Sequence, residues 1–158
     1  RFPLALLPAV IVGAAGVQLL LSLGLAALFA QWRGLHWQVL LLPVNLLPLC
    51  LYGLGLAWLL GSAGVYLRDI GHIAPAASSL LMFLTPVFYP ASLIPENMHW
   101  LVQFNPLAWT SEAARGLLMH GRMFDMTAWC MHLLAATVLL VFARWFFARI
   151  QPGFADVL

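Results

Sequence analysis

Long apolar runs separated by short polar punctuation organise this chain. The first runs from Leu4 to Ala30 and contains only two polar side chains, Gln18 and Ser22. It is long enough to cross about 30 Å of hydrocarbon with some tilt. Pro8, Gly13 and Gly16 would weaken a soluble helix but are tolerated in a membrane helix. The second run, Val39 to Leu60, has 22 residues and reaches about 33 Å at helical rise. The third, Ile73 to Tyr89, has seventeen, the low end for a span, with Pro75 placed in its first turn. The fourth begins at Met126 and closes on Arg144-Trp145-Phe146-Phe147-Ala148-Arg149, an aromatic and arginine anchor in which Arg144 can snorkel to the headgroups. The pattern predicts an all-α polytopic membrane protein: one domain over residues 1–158, with four spans at about 4–30, 39–60, 73–89 and 126–148. The tail, Gln151 to Leu158, is expected to fray.

Between the third and fourth runs the chain is too apolar for a solvated loop and too interrupted to span. Pro95-Glu96-Asn97 can open a helix that runs to Phe104. Asn105-Pro106 breaks it, and a second helix can run from Leu107 to His120, capped by Gly121. The two short pieces suit a re-entrant helical hairpin over residues 95–121, with two helices lying flat on the membrane as the alternative. A broken backbone at membrane depth needs protein or a wet cavity around it.

Composition sharpens the picture. Residues of the AVILMFWYC set make up 64 % and charged residues 8 %, so lipid must solvate much of the surface. All seven cationic side chains are arginine, and no basic stretch tracks phosphates, which argues against a nucleic-acid partner. Cys50 and Cys130 lie in apolar runs and read as buried free thiols. Four spans put Arg1, Arg68, Arg144 and Arg149 on one side and Arg33, Arg115 and Arg122 on the other. This slight excess favours a cytoplasmic Arg68-Asp69 turn and an external hairpin. The chain opens at Arg1-Phe2-Pro3 without methionine or signal peptide and reads as a piece of a longer protein.

Candidate chemistry is sparse. There is no phosphate loop, no dinucleotide fingerprint, no Ser-His-Asp set and no Cys/His cluster, so no catalytic residue, metal site or cofactor is expected. His36, between Trp32 and Trp37, reads as interfacial. Gly53, Ala57 and Gly61 recur every four residues and form a small-residue stripe that allows close approach of another helix. Asn45, near Pro43 and Pro48, is expected to hydrogen-bond a neighbouring helix or a freed carbonyl. Glu112 and Arg115, three apart, can meet on one face.

Three pieces in order carry a resemblance. They are Tyr66-Leu67-Arg68-Asp69-Ile70 with His72-Ile73; Phe83-Leu84-Thr85-Pro86-Val87-Phe88-Tyr89-Pro90; and Asn105-Pro106-Leu107 followed by Glu112, Arg115, Leu117-Leu118 and Gly121. The stretch Gly64 to Gly121 resembles the ABC-2 family of transporter permeases, in particular exporters of O-antigen, capsular polysaccharide and teichoic acid. The rest matches only as generic hydrophobic helices. The resemblance implies a permease of six membrane helices with cytoplasmic termini, of which this chain supplies the third to the sixth. It implies a homodimer in the bacterial cytoplasmic (inner) membrane, a separate ATPase subunit as partner and a lipid-linked polysaccharide as substrate.

On that reading, Tyr66 and Ile70 pack on the ATPase while Arg68 and Asp69 fix the turn. Flat aromatic faces suit sugar polymers, and Phe83, Phe88, Tyr89, Trp100, Phe104 and Trp109 gather at the external end of the path; a lipid-facing belt is the alternative for each. Glu112 and Arg115 hold the second half-helix at the external gate. Two other readings stay open: a drug or lipid exporter of the same superfamily, and a membrane-embedded glycosyl or acyl transferase.

Overall fold

The computed structural model describes residues 6–31, 36–86 and 94–156. Six α-helices organise them: α1 (Leu7–Gln31), α2 (Leu42–Tyr66), α3 (Ile70–Leu84), α4 (His99–Phe104), α5 (Pro106–Arg115) and α6 (Met126–Ile150). Three segments are long and apolar enough to cross a membrane: Leu7–Leu28, Trp37–Tyr66 and Met126–Phe154. They coincide with the first, second and fourth runs. Each of their helices has 25 residues, about 37 Å of length.

The third run differs from expectation. Its helix starts at Ile70, so Pro75 falls in the second turn rather than the first. Backbone bonds wind the chain directly from the turn into the helix: Ile70 N–H donates to Leu67 O, and His72 and Ile73 N–H donate to Asp69 O. The helix ends at Leu84, and its 15 residues give about 22 Å, short of a full crossing. Thr85 caps it in extended backbone (φ −96°, ψ 127°), the conformation that a following proline imposes. No residue of α3 is buried, so most of its apolar surface is left uncovered by the described part of this chain.

The main packing seam joins α2 and α6, which run parallel. Trp129 Nε1–H donates to Val44 O at one end (2.9 Å), and the Tyr66 hydroxyl donates to Ile150 O at the other (3.1 Å). Along α2 the seam buries Pro48, Gly55 and Ser62; along α6 it buries Ala136 and Ala143. Both sets step by seven residues, the repeat of a two-helix seam. Without a hydrophobic force between helices in lipid, association depends on close backbone approach and hydrogen bonds, and small residues allow the approach. A Cβ on Gly55 would lie 3.2 Å from Leu139 Cγ and 3.3 Å from Leu140 N.

The expected stripe is not the face that α6 uses. Among the described residues nothing lies within 4 Å of a Cβ added at Gly53 or Gly61, and Ala57 is half-buried. Gly55 lies two residues from Gly53, about 200° around the helix, so α6 packs on nearly the opposite face.

Two further expectations change. Cys50 and Cys130 are free but exposed, not buried. The tail does not fray over its described part: Gln151–Asp156 form a 3₁₀ turn that buries Phe154 against Phe147 (ring centroids 5.9 Å) and Tyr66 (6.0 Å). Gly153 permits this fold-back, because a Cβ there would sit 2.5 Å from the Tyr66 hydroxyl oxygen.

Candidate functional site

Residues 94–121, the segment read above as a hairpin, form short helices broken at Asn105. A 3₁₀ turn, Glu96–Met98, leads into α4. Asn105 then leaves helical geometry (φ −84°, ψ 111°) and caps α5. Its Oδ1 accepts from Leu107 N–H (3.0 Å) and Ala108 N–H (3.4 Å), and Pro106 at the first helical position has no N–H to satisfy. A π turn, Gly116–His120, follows α5 and ends at Gly121 in the left-handed region (φ 57°). A Cβ at Gly121 would meet the His36 ring at 2.7 Å, so this glycine serves both the turn and the close passage of His36. His36 thus lies against the end of the hairpin.

The hairpin is docked on protein rather than left in isolation. Asn45 on α2 is wholly buried, and its Nδ2 donates to Thr110 O on α5 (3.1 Å). This is the interhelical hydrogen bond expected of it, although its Oδ1 is buried without a partner among the described residues. His132 on α6 bonds Gln103 O at the end of α4 (3.0 Å) and lies against Trp109 (5.1 Å) and Tyr52 (6.4 Å). Nothing in the sequence marked His132; its only signal was a lone imidazole inside a span.

The hairpin also holds the end of α3. Asn105 Nδ2–H donates to Thr85 Oγ1 (3.2 Å), which in turn donates to Leu81 O (2.7 Å). Arg115 donates to Glu112 Oε2 (2.6 Å) and to Pro86 O (3.2 Å). The second and third motif pieces therefore meet: the Thr85-Pro86 end of α3 is bound at two points by the Asn105–Arg115 helix. Arg115 is 23 % and Glu112 40 % exposed, so the pair is sheltered but reachable by water. Next to this junction a groove of about 380 Å³ runs between α1, α2, α3 and α5, lined by Leu23, Leu49, Met82, Thr85, Thr110 and Ser111 among others.

The aromatic side chains expected on the path divide. Phe83, Trp100 and Phe104 are exposed. Trp109 turns inward, onto His132 and Phe124. Phe88 and Tyr89 lie outside the described residues.

At the other end of the molecule the Tyr66–Ile70 turn shows what each side chain meets within this chain. Tyr66 packs on its own chain's tail through Ile150 O and Phe154, and Ile70 is half-buried near Gly64. Arg68 and Asp69 do not fix the turn with their side chains: both are exposed, and the Asp69 carboxylate makes no cap. Backbone bonds hold the turn instead, including Leu67 N–H to Ala63 O (2.9 Å). The exposed charges are what this turn offers outward. Among the described residues, no three His, Cys, Asp or Glu side chains gather as a metal site would require.

Comparison with known proteins agrees with the motif reading. The ABC-2 type transporter family model matches residues 2–119. The O-antigen export system permease protein RfbA of Myxococcus xanthus is 30 % identical over 151 residues, covering 90 % of this chain and 56 % of that protein. A protein of the same name from Klebsiella pneumoniae is 25 % identical over 124 residues, covering 76 % of this chain and 48 % of its own length. The chain spans about half the length of the curated relatives it matches. With three spanning-length apolar helices and a family match over most of its residues, this multi-pass membrane chain belongs to the ABC-2 type transporter family.

Proposed function

We propose that the chain is part of the permease subunit of an ABC transporter that exports a lipid-linked polysaccharide such as O-antigen, working as a homodimer with a separate ATPase in the bacterial cytoplasmic membrane. The observation that carries this reading is the similarity to an O-antigen export permease across 90 % of the chain. The geometry supports a transport role: the family-like segments sit at the two ends of the bundle, one as an exposed charged turn and one as a docked hairpin.

The parallel seam supports a fourth crossing. Because α2 and α6 run in the same direction, the chain from Tyr66 to Asp125 must return to the starting side. The α3 helix leaves the Tyr66 end, and Thr85-Pro86 beyond it is bound by α5, which also holds Asn45 near the start of α2. On this reading α3 belongs to the returning crossing, and the hairpin lies at the external face beside α2 and α6. In a background lacking Cys50 and Cys130, Trp37→Cys and Met123→Cys are expected to react with an impermeant external thiol reagent, whereas Gly71→Cys reacts only after permeabilisation. Equal labelling of Gly71→Cys and Trp37→Cys in intact cells would reject this topology.

The Arg68-Asp69 turn meets the ATPase. Tyr66, Leu67, Arg68 and Asp69 are its exposed side chains, and Tyr66 also anchors the turn to the tail through its hydroxyl. In cells deleted for the gene, the full-length protein with its ATPase is expected to restore surface polysaccharide. Asp69→Ala, at normal membrane level, is expected to lower export at least ten-fold while ATP hydrolysis continues. Surface polymer unaffected by deletion of the gene would reject the substrate class; full export by Asp69→Ala would reject the coupling role alone.

A further inference from the structure

On an exposed side of the α2–α6 seam is a site that belongs to neither end. Arg144 on α6 stacks over the Trp58 ring of α2, with its guanidinium carbon 5.8 Å from the ring centroid. Arg144 is six residues before the end of α6, about 9 Å along the axis, and Trp58 is eight before the end of α2, about 12 Å. The cation therefore lies below the helix ends, inside the span. Its guanidinium lies beside the aromatic ring of the neighbouring helix.

A cation at this depth is costly without an anion. The chain's carboxylates are Asp69, Glu96, Glu112, Asp125 and Asp156, and among the described side chains none pairs with Arg144. Glu112 is taken by Arg115, and Asp125 caps the opposite end of α6. The ring supplies a cation–π contact but no acceptor for the N–H donors, and a guanidinium fork matches a phosphate.

Those donors open into a groove of about 580 Å³ lined by Trp58, Leu140, Val141, Arg144, Trp145 and Ala148. Its walls are apolar except for the guanidinium and the two indoles. No residue of α1, α3 or the hairpin lines it, so it is separate from the junction at Thr85-Pro86. Apolar walls with one cation and amphipathic indoles at leaflet depth complement a lipid whose phosphate is anionic and whose chains stay in the bilayer.

We propose that Arg144, Trp58 and Trp145 form a binding site for one anionic phospholipid of the cytoplasmic leaflet, with the phosphate held by the Arg144 guanidinium and the acyl chains along Leu140 and Val141. The choice of leaflet rests on the orientation proposed above; the site itself does not.

The test is native mass spectrometry of the full-length protein, released from micelles doped with phosphatidylglycerol or phosphatidylcholine. Wild type is expected to retain one phosphatidylglycerol per chain at a half-saturating concentration about ten-fold lower than R144Q does, with no such difference for phosphatidylcholine. R149Q, at the helix end, keeps the wild-type value. W58L keeps the cation but removes its platform, and is expected to weaken retention about three-fold; it also serves if R144Q is not recovered from the membrane. Equal retention of phosphatidylglycerol by wild type and by every recovered variant at positions 58 and 144 overturns the site. Undecaprenyl phosphate displacing phosphatidylglycerol from wild type at equal concentration, but not from R144Q, overturns the assignment to a phospholipid and gives the site to a carrier lipid.

Discussion

Gly55→Leu is expected to empty the membrane of this protein, whereas the same change at Gly53 or Gly61 leaves its level intact. At Gly55 the first added carbon already falls 3.2 Å from Leu139 Cγ and 3.3 Å from the Leu140 backbone nitrogen. Backbone cannot yield as a side-chain tip can, so a branched four-carbon side chain must push α6 off α2. Overpacking typically costs about 1–3 kcal/mol. Here the separation also stretches the bonds from Trp129 to Val44 and from Tyr66 to Ile150, which sit at the two ends of the same seam. Gly55→Ala is the graded control: its Cβ needs only a few tenths of an ångström from its neighbours, so its loss is small. Gly53 and Gly61 face open space within this chain. Leucine there leaves the monomer folded; if that stripe meets a second copy, as proposed for the homodimer, the change alters the dimer fraction instead. Fluorescence-detected size-exclusion chromatography of tagged variants reads both quantities. Gly55→Leu at the wild-type level and elution volume would show that the seam is not the principal contact.

The contrast between Gly55 and its neighbours also shows where sequence reading stops. Run length and the scarcity of polar residues located α1, α2 and α6 to within a few residues, because hydrocarbon thickness imposes a minimum length on any helix that crosses it. The hairpin was legible for a different reason: Asn-Pro and a terminal glycine are local devices whose geometry depends on neighbouring backbone alone, and Asn105, Pro106 and Gly121 take those places. The face of α2 used by α6 was not legible. In a helix where almost every position is apolar, no polar side marks the outside, and two glycine patterns compete on equal terms. Only the approach of Leu139 and Leu140 chooses between them.

The same limit applies to long-range partners. That Glu112 and Arg115 share a face follows from helical periodicity. That Arg115 also reaches Pro86 O, 29 residues away in sequence, does not. Tyr66 was assigned to the ATPase from the resemblance alone; its contact with the tail, which arises because Gly153 lets Phe154 reach its ring, was not legible. Arg144 was given the usual fate of an arginine near a helix end; its use of Trp58 depends on the parallel register of α2 and α6, which no local pattern encodes.

The junction at Thr85-Pro86 gives the second large effect. Arg115→Gln is expected to reduce export by more than ten-fold, and by more than Glu112→Gln does. Arg115 joins Glu112, on its own helix, to the Pro86 carbonyl beyond α3, whereas Glu112 is linked to Pro86 only through Arg115. Removing the arginine leaves a partly sheltered carboxylate without its cation and releases the end of α3 at one of its two attachment points. Charge-assisted hydrogen bonds contribute about 1.5–3 kcal/mol each, and with Arg115 nearly a quarter exposed the lower end of that range applies. Removing the carboxylate instead leaves Arg115 free to keep Pro86, so the α3–α5 link survives. The double variant Glu112→Gln/Arg115→Gln is expected to recover protein level relative to Arg115→Gln, because no orphan charge remains, but not export, because the link to Pro86 is still gone. Surface polysaccharide and membrane level, measured together on the full-length transporter, separate the two effects. Export that returns with protein level in the double variant would show that Arg115 matters only for folding, and export by Arg115→Gln equal to wild type would remove the junction from the transport mechanism.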